Sequence, residues 1–175
     1  MLLDSTPLKG LSLDNRVGLA PMTRVSATAD GRATDEMSQY YAKFADGGFA
    51  FLVTEGVYTD SAYSKGYLNQ PGLVTDDHVD AWTTVTAAVH DAGAPIFAQL
   101  MHCGAQNQGM PPSEPQETIA PSAVQPKGEK SEAYGGSGPY PVPERATRDD
   151  LETAREGFVS AAENAAEAGF DGVEI

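Results

Sequence analysis

The sequence predicts an α/β fold of parallel strands, and three observations carry that reading. Four short, nearly unbroken apolar runs, at residues 16–20, 49–55, 96–101 and 170–175, suit strands buried on both faces in a helix-covered parallel sheet, although periodicity alone leaves a buried helical segment open. Three stretches between them carry apolar residues at helical spacing. The three complete runs end in polar residues, Thr23 and Arg24, Thr54 and Glu55, Gln99 and His102, at the carboxyl ends where parallel α/β folds place their chemistry. Consecutive right-handed βαβ units satisfy this order. A (β/α)8 TIM barrel takes about 250 residues, so 175 residues with four strands and three helices make a half-barrel, the first half of one. The rival is a flavodoxin-like or Rossmann sheet. Against it, the turn after the first run, Pro21-Met22-Thr23-Arg24-Val25, contains neither G-x-G-x-x-G nor a P-loop.

Each element follows from its residues. Residues 8–16 alternate apolar and polar side chains around turn-formers and predict a short hairpin. The first strand stops at Pro21, which has no N–H for a ladder. Residues 26–33 are small and polar and form a loop. Thr34 then caps a helix whose Met37, Tyr40, Tyr41, Phe44 and Ala45 share a face, and Gly47-Gly48 ends it. The second strand ends before Gly56, and a long loop leads to Asp76-Asp77 as the cap of a helix carrying Val79, Trp82, Val85, Thr86 and Val89. After the third strand, residues 102–146 are rich in Gly, Pro, Ser and Glu; a loop of this length is usually an active-site lid or a linker. Thr147 and Asp150 form an Asp variant of the capping box, and Leu151, Ala154, Phe158, Ala161, Ala162 and Ala165 mark the buried face that follows. One domain accounts for residues 1–175, with 102–146 as a lid within it.

Composition narrows the partners. Eleven basic against 25 acidic side chains give a net charge of −14, which repels phosphate backbones and anionic lipid, so nucleic acid and membrane surfaces are poor partners. An acidic, lysine-poor surface fits a salt-adapted source. No apolar stretch approaches the roughly 20 residues needed to span a bilayer, and the start lacks a secretion signal, so a cytoplasmic chain is expected. Cys103 is the sole cysteine, which excludes an internal disulfide, and no spaced His or carboxylate set suggests a metal.

Gln99 is the most informative polar residue, because an amide inside an apolar strand must find partners. Either it is a core amide tied to backbone, or it meets a planar ligand edge with donors and acceptors. Thr23 likewise either bonds locally or donates to a ligand carbonyl. Glu55 reads as one half of a structural ion pair, with Arg24 or a barrel-lining neighbour. His102 beside Cys103 suggests a dyad, but adjacent side chains need not meet and no orienting acid is apparent. His78 and His90 are surface or packing residues.

The segments Ala20-Pro21-Met22-Thr23-Arg24, Thr54-Glu55-Gly56, Ala98-Gln99-Leu100-Met101-His102-Cys103-Gly104, Ala120-Pro121-Ser122-Ala123 and Ala168-Gly169-Phe170-Asp171-Gly172-Val173-Glu174-Ile175 together resemble the Old Yellow Enzyme family of FMN-dependent NADH:flavin oxidoreductases and ene-reductases, in order and spacing. The resemblance implies FMN held noncovalently over the strand carboxyl ends by Ala20, Pro21, Met22, Thr23, Gly56 and Gln99. Thr23 would bond the flavin carbonyl, Gln99 the pyrimidine edge, and Gly56 would admit the ring closely. Met101, His102 and the long loop would border the substrate cavity. In such enzymes NADH or NADPH reduces the flavin, which passes hydride to the β-carbon of an activated alkene, and the intact protein is expected to be a homo-oligomer.

Two departures accompany the resemblance. Ala105 stands where family members usually have Arg, which affects local loop anchoring. The family's His with a second His or Asn three residues on, and its Tyr proton donor, would lie beyond Ile175, so no catalytic residue is expected in this chain. A half-barrel alone should be colourless, nearly inactive and prone to self-association. The alternatives are a non-catalytic half that binds flavin or a partner half, and an unrelated TIM-barrel enzyme such as an aldolase.

Overall fold

A computed structural model describes residues 1–109 and 117–175. Strands β1 (Thr6–Leu8) and β2 (Leu11–Leu13) form the predicted antiparallel hairpin, two residues earlier than expected, turning through Lys9 and Gly10 at φ 42° and 95°. There follow β3 (Gly18–Leu19), α1 (Asp35–Asp46), β4 (Phe51–Tyr58), α2 (Asp76–Asp91), β5 (Ile96–Met101), β6 (Ile119–Ala120), β7 (Glu144–Arg145), α3 (Arg148–Glu167) and β8 (Gly172–Glu174). The strands β3, β4, β5 and β8 pair in that order, all parallel, through registers such as Gly18↔Phe51, Leu52↔Ile96 and Phe97↔Gly172. Each strand therefore lies beside its predecessor, as staves do in a barrel wall, and the sheet stays open at β3 and β8.

The helices cover one face only. On β5, Ile96, Ala98 and Leu100 are 0%, 0% and 3% exposed, whereas Phe97, Gln99 and Met101 on the opposite face are half-buried. The two-sided burial inferred from the apolar runs is thus corrected: the lumen face is open because four staves enclose it on one side. Behind the sheet, Trp82 of α2 is fully buried, donates its indole N–H to the Gly72 carbonyl at 3.0 Å, and packs against Phe170 and Tyr41. Met37 and Tyr41 of α1 and Ala161 and Ala165 of α3 complete this core.

Caps form where hydroxyls meet free helix N–H groups. Thr34 accepts from Met37 N, and Thr147 and Asp150 make the reciprocal box. For α2 the cap is Thr75, not Asp76 or Asp77; its hydroxyl accepts from His78 N, and the two aspartates complement the dipole in the first turn. Leu151 of α3 is 55% exposed, against expectation, and with Phe158 and Ile119 it lines an open apolar recess of about 210 Å³. The first strand's ladder is two residues long, since Asn15 caps Val17 N and Pro21 cannot donate.

The second strand runs on to Tyr58, three residues past its expected end. Pairing with β5 shifts between Val53↔Phe97 and Gly56↔Gln99, three residues on one strand against two on the other, a β-bulge at Thr54 and Glu55. There the Thr54 hydroxyl accepts the N–H of Gln99 at 3.1 Å. Gly56, expected after the strand, lies within it. The region 102–146 also holds more structure than a loop, with β6 and β7 pairing in parallel; its residues 110–116 lie outside the described residues.

Candidate functional site

The parallel sheet delivers its carboxyl ends to one rim. Beyond β3, Ala20, Met22 and Thr23 are exposed and Pro21 is half-buried. Thr23, Met101 and His102 line one cavity of about 230 Å³, together with Tyr67, Cys103 and Tyr134. Gly56 belongs to the same place: a Cβ there would stand 2.7 Å from the Met101 sulfur and terminal methyl, so the thioether lies directly on the glycine. Gln99 is Gly56's register partner, and Glu174 is Gln99's in turn, so the three form one row across the lumen face.

Gln99 is half-buried and donates its side-chain amide to Glu174 Oε2 at 3.0 Å. Its carbonyl oxygen and second N–H remain available to a planar group with both donors and acceptors. The residues present therefore fit the isoalloxazine edge of a flavin: a hydroxyl at Thr23, an amide at Gln99, and a side-chain-free wall at Gly56.

Tyr67 and Gln70, which the sequence reading passed over, hold this arrangement. The Tyr67 hydroxyl donates to the Gly56 carbonyl at 3.5 Å, and Tyr67 lines the same cavity as Thr23. Gln70 is fully buried, donates to the same carbonyl at 3.1 Å and accepts from Gly66 N at 2.7 Å. Burial pushes the Tyr67 phenol well above its ordinary value, so it stays protonated. The long stretch after β5 is moored onto this loop: Asn107 donates to the Lys65 carbonyl, Gln108 N to the Gly66 carbonyl, and the Tyr134 ring lies 5.4 Å from that of Tyr67. A tyrosine after Gly66 and an amide before Pro71 were the only signals in the sequence, and neither names its partner.

Glu55 is 1% exposed and sits behind the lumen, where Oε2 accepts the backbone N–H of Arg24 at 3.0 Å. The expected ion pair takes a different form. The Arg24 guanidinium lies 3.5 Å over the Tyr40 ring with Glu36 at 3.6 Å, and the carboxylate engages backbone instead. Burial raises the Glu55 pKa, opposed by the Arg24 N–H and the Tyr41 hydroxyl.

His102 and Cys103 do not form a dyad. His102 Nδ1 accepts from Gly104 N at 3.0 Å, leaving Nε2 toward Asp60 Oδ2 at 3.9 Å, so the acid missing from the sequence reading is Asp60. Burial lowers the His102 pKa, with Asp60 opposing. Cys103 packs against Gly66, and burial pushes its thiol up to about 11, which keeps it protonated and unreactive. His78 is buried, accepting from Val74 N and Thr75 N; His90 is exposed and contacts Asp171 at 2.9 Å. Among the described residues no cluster of three metal-ligating side chains occurs.

A half-cylinder of parallel staves, with polar groups gathered at its carboxyl rim under a moored roof, defines half of a (β/α)8 barrel. The chain belongs to the NADH:flavin oxidoreductase / NADH oxidase family, which matches residues 6–175. It is 34% identical over 170 residues to a probable flavin mononucleotide-dependent alkene reductase of Leishmania infantum, covering 95% of this chain and 46% of that protein. Among solved structures it is similar to the old yellow enzyme homologue from Zymomonas mobilis (TM-score 0.86, 35% identity, 98% of this chain and 47% of that one). It is also similar to morphinone reductase in complex with tetrahydroNAD (TM-score 0.84, 32% identity, 98% and 48%). The chain spans about half the length of the relatives it matches.

Proposed function

We propose that residues 1–175 are the amino-terminal half of an FMN-dependent ene-reductase in which NADH or NADPH supplies hydride and a small activated alkene receives it. The observation that carries this reading is convergence: Thr23, Met101 and His102 share one cavity, with Gly56 beneath Met101 and Gln99 in register beside it. FMN, when bound, supplies the hydride relay, and the protein supplies orientation and electrostatics. Thr23 and Gln99 hold the ring edge, the exposed backbone of Ala20, Pro21 and Met22 approaches it, and Gly56 keeps that wall clear. Met101, His102 and Tyr134 shape the space for the alkene, and segment 102–146 acts as a partial lid. No residue of this chain is assigned as proton donor. The intact protein is a cytoplasmic homo-oligomer in this reading; among the described residues no helix is long and apolar enough to cross a membrane.

The test is flavin affinity in the intact protein. Gln99→Ala should weaken FMN binding by about 1–3 kcal/mol, the cost of an unmet buried hydrogen bond, measured by flavin fluorescence quenching. Unchanged affinity would remove Gln99 from the site. Separately produced amino- and carboxyl-terminal halves should be colourless alone and take up FMN when mixed; a stoichiometrically yellow 175-residue chain would overturn the half-site reading.

A further inference from the structure

We propose that Glu55 is the positioning residue of this site: its carboxylate folds residues 24 and 25 around itself and so fixes where Thr23 stands at the rim. The inference rests on the proposed flavin-facing role of Thr23, and it is carried by a strained segment meeting a buried anion. Val25 has φ 60°, a left-handed conformation that a β-branched side chain adopts at a steric cost, so its surroundings must impose it. What imposes it is the carboxylate. Arg24 N–H donates to Glu55 Oε2 at 3.0 Å, and the next amide, that of Val25, also favours the charge on the same carboxylate, so successive N–H groups lean toward one anion as in a backbone nest.

The carboxylate is itself held from behind. Tyr41 of α1 accepts the Glu55 N–H at 2.9 Å, and its hydroxyl stands 3.4 Å from Oε1. A simple ion pair would put the Arg24 guanidinium on the acid; here that group is over Tyr40, and the backbone is what Glu55 grips. The groups facing Glu55 are the two amides and the charge of Arg24 from the segment after β3, Tyr41 from α1, and Tyr67 from the loop after β4. The chain thus runs from α1 through Glu55 to residues 24 and 25, and from there to Thr23, which shares a cavity with Tyr67.

The test uses the 175-residue chain. In Glu55→Gln the carboxamide keeps one acceptor oxygen and brings an NH₂ against the second amide. Exchange at Arg24 N–H should therefore become roughly ten-fold faster, as weakening of one charged hydrogen bond implies, while Ile96 and Leu100 amides stay unchanged. Independently of any variant, the Arg24 and Val25 amide proton shifts of the wild type should titrate together with the Glu55 carboxyl carbon as pH falls. Shifts that ignore that titration, or unaltered exchange in Glu55→Gln, would overturn the proposal. Quenching of FMN added to the mixed amino- and carboxyl-terminal halves separates the two readings. Uptake by the wild-type pair that falls roughly ten-fold when the amino-terminal half carries Glu55→Gln supports both, and equal uptake by the two pairs overturns the role of Glu55. A wild-type pair that takes up no FMN overturns the proposed function, and the amide measurements then decide Glu55 by themselves.

Discussion

The two faces of the sheet do different work, although the same strands build them. On the helix side, Leu52, Ile96, Ala98 and Leu100 are buried at 3% exposure or less under Trp82, Tyr41 and their neighbours. On the lumen side, Phe97, Gln99 and Met101 are half-open, and the polar row Gly56, Gln99 and Glu174 crosses them. Apolar area removed from water lies almost wholly on one side, and hydrogen-bonding capacity left for a ligand lies on the other. Stability and binding should therefore separate by face.

Four substitutions sharpen or break that comparison. Trp82→Ala removes the largest fully buried side chain and strands the Gly72 carbonyl, and should cost about 3–5 kcal/mol in urea unfolding. Next, Ile96→Ala should cost about 2–4 kcal/mol and its lumen-facing neighbour Phe97→Ala less, despite the larger ring. Equal losses in that pair would mean the lumen is closed in solution, by self-association or otherwise. Gln70→Ala, which leaves Gly66 N unmet and Gly56 O with only the long Tyr67 bond, should cost about 1–3 kcal/mol without removing apolar packing from either face of the sheet.

The smallest effect is a pH term at the rim. Burial lowers the His102 pKa below its ordinary value of about 6.5, so the unfolded chain takes the proton first as pH falls. Stability from neutral His102 is complete above pH ~6.5 and declines as pH drops from there toward the folded value. His102→Asn, which can accept from Gly104 N and donate toward Asp60, should flatten that part of the melting-temperature profile; an unchanged slope would remove His102 from that part of the profile.

Much of this was legible in the residues. Alternating apolar runs and helical faces revealed the parallel half-barrel, and Thr34 and the Thr147–Asp150 pair announced two helix starts because a hydroxyl and its N3 partner lie close in sequence. Thr75 was obscured by the two aspartates beside it. The rim positions Thr23, Met101 and His102 were legible because strand ends converge in this topology. Tyr67, Gln70 and Asp60 were not, since each acts through a partner distant in sequence: Tyr67 and Gln70 on Gly56, Asp60 toward His102. The open lumen was also invisible, because a run such as Ile96-Phe97-Ala98 looks the same whether its second face is filled or bare.

The extra residue in the second strand has a consequence for how that stretch tolerates change. In a regular strand sides alternate, so after lumen-facing Val53 the next residue on that side would be 55, a carboxylate, with 56 turned to the helices. The irregularity at 54–55 reverses the count, sending the acid toward Tyr41 and the glycine to the ring wall. Deleting either residue would restore regular alternation with Gly56 still opposite Gln99 and every later side chain in phase, so a single lost codon here would cost only the contacts of Thr54 or Glu55, whereas one added codon would turn the rest of the strand inside out.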